Sequence, residues 1–140
     1  MIKKVQAIIY DVDDGVYYFL IFHRILHWKG WEFLKETMEP GETQLQCLRR
    51  GIREETHLKN YRIEKRLNRA FAWHDHGQPT RIVQVYAVRV PKRQRVSLRQ
   101  KIMEHDKYTW ATKKQALKLL TYTNARSVLN DFFRNIKNKP

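Results

Sequence analysis

The segment 30–58 constrains the fold of this chain more than any other stretch. A Pro40-Gly41 turn leads into a run whose candidate buried positions recur every three or four residues, which predicts a helix over about 43–57 with one face turned inward. The positions that define this face are Leu45, Leu48, Ile52 and Thr56. Such a helix has to pack against another layer of structure.

Strand patterns flank this helix on both sides. An Asp-Gly pair at positions 14–15 predicts a hairpin between the first two strands. A loop that carries Trp28 and Trp31 is expected before the helix. Strands are predicted at 5–10, 17–22, 61–73, 81–90 and 108–110, further helices at 113–120 and 127–133, and a frayed polar tail at 134–140. This order predicts a mixed α/β or α+β fold, with a sheet packed between helices.

Charged side chains cluster along the predicted helix. Glu54 and Glu55 are adjacent, Arg50 lies one turn before Glu54, and Glu42 lies on the loop that leads in. Close carboxylates repel each other and persist mainly where a cation or an arginine neutralises them. Carboxylate oxygens are preferred ligands of Mg²⁺, which commonly bridges to a substrate's phosphates. For the helix taken alone, the competing interpretation is a solvated face of paired glutamate and arginine.

The whole segment resembles the Nudix box, which reads Gly, five residues, Glu, seven residues, Arg-Glu, an aliphatic, any residue, Glu-Glu, any residue, Gly and an aliphatic. The residues that match with unbroken spacing are Glu42, Arg50, Ile52, Glu54, Glu55 and Leu58. The upstream residues Trp31, Phe33 and Lys35 also resemble those that usually precede the box. The resemblance implies a single domain over residues 1–140, folded as a Nudix-type α/β/α sandwich with a mixed central sheet between helices.

Three departures from the box bear on activity. Glu36 stands where the family has its first glycine, Gly51 where it has the glutamate after the arginine, and His57 where it has the last glycine. In the family, the glutamate that is missing at position 51 joins the two at Glu54 and Glu55 in ligating the metals, so its loss implies impaired catalysis. Glycine inside a helix also costs about 1 kcal/mol relative to alanine. Glu36 is a candidate replacement ligand, and a surface position on the loop is the alternative.

A second stretch, 104–110, resembles the Glu-His-x-x-Tyr-x-Trp segment of the diadenosine tetraphosphate hydrolase branch of the family. The resemblance implies that Glu104 assists metal binding or water activation and that Tyr108 stacks on a base, since an aromatic face accepts any nucleobase. Trp110 is expected to pack in the core. Lys35 and Arg24 are candidate phosphate contacts on the preceding loop.

The charge of the chain bears on its partners. The 28 lysines and arginines outnumber the 14 aspartates and glutamates and give a net charge of +14, which fits a nucleotide polyphosphate or RNA as partner, or a simple effect on solubility. The chain has no run of eighteen apolar residues and no signal-peptide pattern, so we expect no membrane contact and a cytoplasmic location. The single Cys47 excludes an internal disulfide. The sequence leaves the oligomeric state open.

The leading hypothesis is a Nudix-type pyrophosphohydrolase that acts on a nucleoside diphosphate linked to another moiety, with a dinucleoside polyphosphate as the preferred substrate. The resemblance implies that Lys35 neutralises phosphate charge and that Arg50 orients the glutamates through a buried ion pair, with Glu42 as its structural partner. Mg²⁺ or Mn²⁺ would be held by Glu54, Glu55, Glu104 and the candidate replacement Glu36. The competing hypothesis is a catalytically impaired Nudix-fold module that binds RNA or a nucleotide, which Gly51 and the positive charge favour. An RNA-end pyrophosphohydrolase is a third hypothesis.

Overall fold

The computed structural model describes residues 1–74 and 76–137, apart from the side chains of residues 68, 69 and 137. Its elements follow in the order β1 (Ile2–Asp13), β2 (Val16–Arg24), β3 (Gly30–Glu32), β4 (Leu34–Thr37), α1 (Gln44–Thr56), β5 (Arg62–Trp73), β6 (Arg81–Arg89), β7 (His105–Thr112), α2 (Lys113–Leu119) and α3 (Thr123–Lys137). The strands form one seven-stranded sheet with the central order β3-β2-β1-β6-β5. β1 and β6 are parallel, while β1 and β2 are antiparallel, so the sheet is mixed.

The sheet splits between β1 and β2, and the split positions the functional residues. Residues 10–13 of β1 pair with residues 16–19 of β2. Further along, residues 4–7 of β1 pair instead with β4, and residues 22–24 of β2 pair with β3. Because only Phe33 separates β3 from β4, these two short strands fill the gap between the diverging strands. The chain then runs through a short loop into α1, so side chains of β3, β4 and α1 come together.

Apolar side chains cover both faces of the sheet. Neighbours along a strand alternate between two clusters, as expected for strands that are buried on both sides. The cluster on the α1 face contains Ile9, Leu20 and Phe22 with Leu48 and Ile52 of the helix. The cluster on the opposite face contains Ile8, Phe19 and Ile21 with Ala116 of α2 and Leu129 and Phe132 of α3. The predicted fold class, a mixed sheet between helices, is confirmed.

Both ends of α1 are fixed by side chains. Thr43 caps the first turn in a reciprocal capping box with Gln46. The helix ends at His57, whose φ of 58° lies in the left-handed region that usually favours glycine. The His57 ring compensates, because its Nε2 donates a hydrogen bond of 2.7 Å to the backbone carbonyl of Arg99. Histidine at this position therefore preserves the turn that a glycine would make.

Two sequence predictions about the elements are wrong. The predicted loop around Trp31 contains β3 and β4, which are too short for a period of two to be recognised. Leu45, predicted on the inward face of the helix, is 47% exposed, because it lies in the first turn of α1, away from the sheet-facing residues Leu48 and Ile52. Of the tail predicted to be frayed, residues 134–137 continue α3, and residues 138–140 lie outside the described residues. Among the helices that the structure describes, none is long and apolar enough to cross a membrane.

Candidate metal and phosphate site

Glu55 is a buried carboxylate that accepts no hydrogen bond. It lies on the last turn of α1 and is 2% exposed, and neither of its side-chain oxygens has a hydrogen-bond partner among the described residues. Burying an ionised carboxylate is costly unless an opposite charge or a metal compensates. A group in this state needs either a proton or a cation as its partner.

Two further ligand-bearing side chains lie beside Glu55. One potential ligand atom from each of Glu55, Glu104 and His105 lies within 4.8 Å of the other two. Glu104 immediately precedes β7, and its backbone carbonyl accepts a hydrogen bond from the amide of Ile25, which follows β2. Two carboxylates and an imidazole at this separation suit one divalent cation. The structure therefore brings together Glu55 and Glu104, which the sequence predicted as ligands.

His105 is held in place by a second buried carboxylate. The His105 Nε2 lies 2.9 Å from Glu32 Oε2, and Arg24 Nη1 lies 3.1 Å from the same oxygen. Burial raises the pKa of Glu32, but the hydrogen bond from His105 and the charges of Lys35 and Arg24 outweigh it and leave that pKa below the ordinary value. Ionised Glu32 must accept from His105 Nε2–H, and Nδ1 of the same ring then faces Glu55 Oε1 at 3.7 Å.

The surroundings of Glu55 favour its protonated form in the metal-free protein. Burial is the largest cause that raises the pKa of Glu55 well above its ordinary value, and the negative charges of Glu104 and Glu36 add to it. A divalent cation would reverse these effects, because it replaces lost solvation and neutralises neighbouring carboxylates. The residues present therefore fit a divalent metal.

Arg50 ties α1 to the loop that precedes it. Its Nε and Nη2 donate to the two oxygens of Glu42 at 2.7 and 3.0 Å, and Nη2 also donates to the backbone carbonyl of Thr37 at 2.8 Å. Its Nη1 lies 3.4 Å from a carboxylate oxygen of Glu36 and of Glu54. The hydrogen bond from Arg50 is the main reason that the pKa of Glu42 falls to about 2. The structure thus contains the ion pair that the sequence predicted between Arg50 and Glu42.

Glu54 lies on a different side of α1 from Glu55. Successive helical residues point about 100° apart, and the Glu54 side chain is 52% exposed beside Arg50. Among the described residues, the group of three potential ligands does not include it. A role for Glu54 in metal binding stays a prediction.

Glu36 occupies the space that a side chain at position 51 would need. A Cβ built on Gly51 would lie 3.0 Å from Glu36 Cβ and 3.3 Å from Glu36 Cγ. Glu36 points to the α1 face, because its neighbour on β1, Val5, belongs to the cluster on that face. Glu36 therefore packs directly over the helical glycine.

Lys35 lies on the other face of β4, opposite Gln6 of β1. Its Nζ lies 5.1 Å from the centre of the Trp73 ring. Burial is the largest cause that lowers the pKa of Lys35; the charge of Glu32 opposes this change, and further lowering comes from the positive charges of Lys4, Arg24 and Arg81. An anion at this face would be stabilised by several cations at once.

The remaining predicted site residues differ in how far their side chains are free to contact a ligand. Tyr108 is 39% exposed and pairs with Phe22 across the sheet, which places it on the α1 face. Trp110 packs against the core cluster on that face, as predicted. Arg24 donates to the carbonyl of Leu26 at 2.8 Å as well as contacting Glu32, so its guanidinium is held by protein groups. Phosphate binding by Arg24 stays a prediction.

Sequence reasoning missed the roles of Glu32 and His105. Both are nearly inaccessible, at 4% and 2% exposed, and His105 lies in a short polar stretch that gives no sign of burial. The available signal was Glu32 standing between Trp31 and Phe33, since an acidic residue inside an apolar run is usually paired.

Comparison with known proteins gives a consistent result. A family model described as "NUDIX domain" matches residues 3–132. No curated protein sequence matches the chain significantly.

Solved structures match over nearly the whole chain. The structure of a C. elegans Ap4A hydrolase binary complex superimposes with a TM-score of 0.85 at 20% identity, covering 99% of this chain and 100% of that chain. The E. coli dihydroneopterin triphosphate pyrophosphohydrolase gives 0.74 at 19% identity over 95% of each chain. The E. coli ORF135 protein gives 0.69 at 26% identity, over 100% of this chain and 95% of that one. These similarities establish the fold.

Proposed function

Since this chain belongs to the NUDIX domain family, we propose that it is a metal-dependent pyrophosphohydrolase acting on a nucleoside diphosphate linked to another moiety. A dinucleoside polyphosphate is the preferred substrate class. The observation that carries the proposal is Glu55, which is buried without a hydrogen bond beside Glu104 and His105. A protein that only binds polyanions has no evident need for such clustered carboxylates.

The proposed ligands of Mg²⁺ or Mn²⁺ are Glu55 and Glu104, with Glu54 at the edge of the site. A divalent ion bound there supplies charge neutralisation at the phosphates and lowers the pKa of a coordinated water. His105 is a positioning residue, because its Nε2–H is engaged by Glu32 and its Nδ1 is thereby directed toward Glu55. Arg50 fixes the loop and the helix relative to each other through Glu42.

Substrate binding is proposed to use two surfaces. Lys35, with the cations around it, would neutralise the phosphates, and binding of an anion there would relieve the repulsion between those cations. The exposed ring of Tyr108 would stack on a base. The similar C. elegans structure is that of an Ap4A hydrolase, which supports a dinucleoside polyphosphate as the first substrate to test.

The competing function is a binding module for RNA or a nucleotide. Two observations favour it: Gly51 leaves α1 without a carboxylate at that position, and the net charge is +14. Such a module would bind nucleic acid mainly through its positive surface, with an affinity that falls steeply with salt.

The test is product release from a dinucleoside tetraphosphate, a nucleotide sugar and a triphosphate-ended RNA, each with Mg²⁺, Mn²⁺ or a chelator. We expect turnover that the chelator abolishes and that Glu55→Gln lowers by roughly a thousandfold, since about 4 kcal/mol of transition-state stabilisation corresponds to that factor. The matched control is Glu39→Gln, which removes an exposed carboxylate from the preceding loop. Metal-independent turnover, or equal turnover by Glu55→Gln, would contradict the proposal.

Absence of turnover together with salt-sensitive RNA retention would support the binding module instead. Restoring a helical glutamate is informative only if Glu36 is removed at the same time, because the two side chains compete for space. Turnover that appears only in the Glu36→Gly/Gly51→Glu double variant would identify a protein whose catalysis has been lost.

A further inference from the structure

Gly51 and Glu36 share one space between α1 and β4. Gly51 precedes Glu55 by one helical turn, so a side chain at position 51 would lie on the same helix face as Glu55. That direction is taken by the methylene groups of Glu36, which lie 3.0 and 3.3 Å from the Cβ that Gly51 lacks. The absence of a side chain on the helix thus makes room for a carboxylate from the strand.

The group of three potential ligands among the described residues does not include Glu36, but the Glu36 carboxylate acts on Glu55 from the neighbouring strand. Burial is the largest cause that raises the pKa of Glu55, and the negative charge of Glu36 adds to it. Both groups accept hydrogen bonds when ionised, so neither can satisfy the other without a proton or a cation between them. The Glu36 Oε1 accepts a hydrogen bond of 3.2 Å from the amide of Thr37 and lies 3.4 Å from Arg50.

Arg50 does not balance this group. Two of its hydrogen bonds go to Glu42 and a third goes to the carbonyl of Thr37. Most of the positive charge of Arg50 is therefore compensated by Glu42 rather than by Glu36 or Glu55. The carboxylates of Glu36, Glu55 and Glu104 therefore keep an excess of negative charge. Glu55, the innermost of them, is 2% exposed and has no hydrogen bond to either oxygen. Several oxygen donors that carry excess negative charge are the ligands that hard divalent cations prefer.

We propose that Glu36 supplies from β4 a metal-binding carboxylate that completes the site of Glu55 and Glu104, and that Gly51 is present to admit it. The proposal rests on the proposed function only in requiring a divalent-cation site. Relative to the Nudix box, glycine and glutamate have exchanged places across the contact between strand and helix, so the carboxylate is relocated rather than lost.

The experiment measures Mn²⁺ affinity, by calorimetry and by the electron paramagnetic resonance signal of free Mn²⁺, on the full chain without nucleotide. Glu36→Gln keeps the packing over Gly51 and removes the charge. We expect it to weaken Mn²⁺ binding by roughly tenfold or more, since affinity in such sites follows the number of charged ligands. Glu39→Gln is the matched control, because Glu39 also lies near Arg50, at 3.7 Å, but is 64% exposed, and its affinity should equal that of the wild type.

The exchange variant gives an independent test. In Glu36→Gly/Gly51→Glu the carboxylate returns to the helix and the crowding disappears, so affinity should lie within roughly threefold of the wild type. Gly51→Glu alone keeps both side chains and is expected to unfold at a lower temperature without binding Mn²⁺ more tightly. Thermal melting of each variant identifies any loss of folding.

The outcomes separate this inference from the proposed function. Wild-type affinity in Glu36→Gln, or an exchange variant that binds as weakly as Glu36→Gly, would overturn the inference even if the wild type hydrolyses nucleotides. Weakened binding in Glu36→Gln that the exchange restores would support the inference even if none of the substrates is hydrolysed.

Discussion

Replacing Gly51 with alanine should fail to stabilise this protein, although alanine is the better helix former. In an unobstructed helix interior the change gains about 1 kcal/mol. Here the new Cβ would meet Glu36 Cβ at 3.0 Å, and neither atom can move without its backbone. Overpacking of this kind costs about 1–3 kcal/mol. The free energy of unfolding should therefore stay the same or fall by up to about 2 kcal/mol.

A double-mutant cycle isolates the contact. In the Glu36→Gly background the obstruction is gone, and Gly51→Ala should raise the free energy of unfolding by the full gain of about 1 kcal/mol. For a chain of 140 residues this corresponds to about 3–4 °C in Tm. The coupling between the two positions is thus expected at about 1–3 kcal/mol.

Urea unfolding followed by circular dichroism measures all four proteins, with thermal melting as a second assay. Asn130→Ala serves as the matched control, because Asn130 is an exposed residue within α3 and its substitution should have the same effect in both backgrounds. If Gly51→Ala stabilises the wild type as much as it stabilises the Glu36→Gly variant, the packing described between strand and helix is wrong.

Three further outcomes are expected. Because the pKa of Glu55 is raised in the folded protein, the metal-free folded state binds this proton more tightly than the unfolded chain does. The free energy of unfolding should therefore fall as pH rises above about 4.5, and Glu55→Gln should remove that fall in unfolding curves measured with chelator. An unchanged pH slope in Glu55→Gln would contradict the burial argument. Phe132→Ala should lower the free energy of unfolding by about 3–5 kcal/mol in urea titrations. The Phe132 ring is fully buried and meets the rings of Tyr10 and Phe19 edge-on, with 5.0 and 5.2 Å between ring centres. A loss below about 1 kcal/mol would show that the aromatic cluster is not tightly packed. Tyr108→Ala should raise KM for a dinucleoside polyphosphate by roughly fivefold or more, since stacking contributes about 1–3 kcal/mol per base. Tyr108→Phe keeps the aromatic ring and should leave KM near the wild-type value. Equal KM values for the wild type and both variants would exclude stacking.

The long elements could be predicted from sequence because their periodicity extends over several turns or residue pairs. The helix predicted at 43–57 is α1, Gln44–Thr56, and the strand predicted at 81–90 is β6, Arg81–Arg89. By contrast, β3 and β4 are held in place by their pairing with β2 and β1, and three or four residues carry no pattern that reveals this. Their existence depends on where distant strands diverge.

The candidate site shows the same division. Glu55, Arg50 and Glu42 could be selected because their spacing along one segment has a chemical meaning, and the ion pair between Arg50 and Glu42 is present. The buried link from Glu32 to His105 joins residues 73 positions apart, and nothing local to either residue identifies its partner. Glu36 could be nominated as a ligand from its place on the loop, but its contact with Gly51 required the register of β4 on β1.

The crowding between β4 and α1 also restricts how such a sequence can arise. If the carboxylate began on the helix, a single substitution that introduced Glu36 would place two bulky side chains in a space for one, and a single substitution to Gly51 would leave the space without an acid. Either intermediate is impaired, in packing or in chemistry. Ancestors and close relatives of this chain should therefore carry the two residues in linked combinations, with the mixed pairs rare.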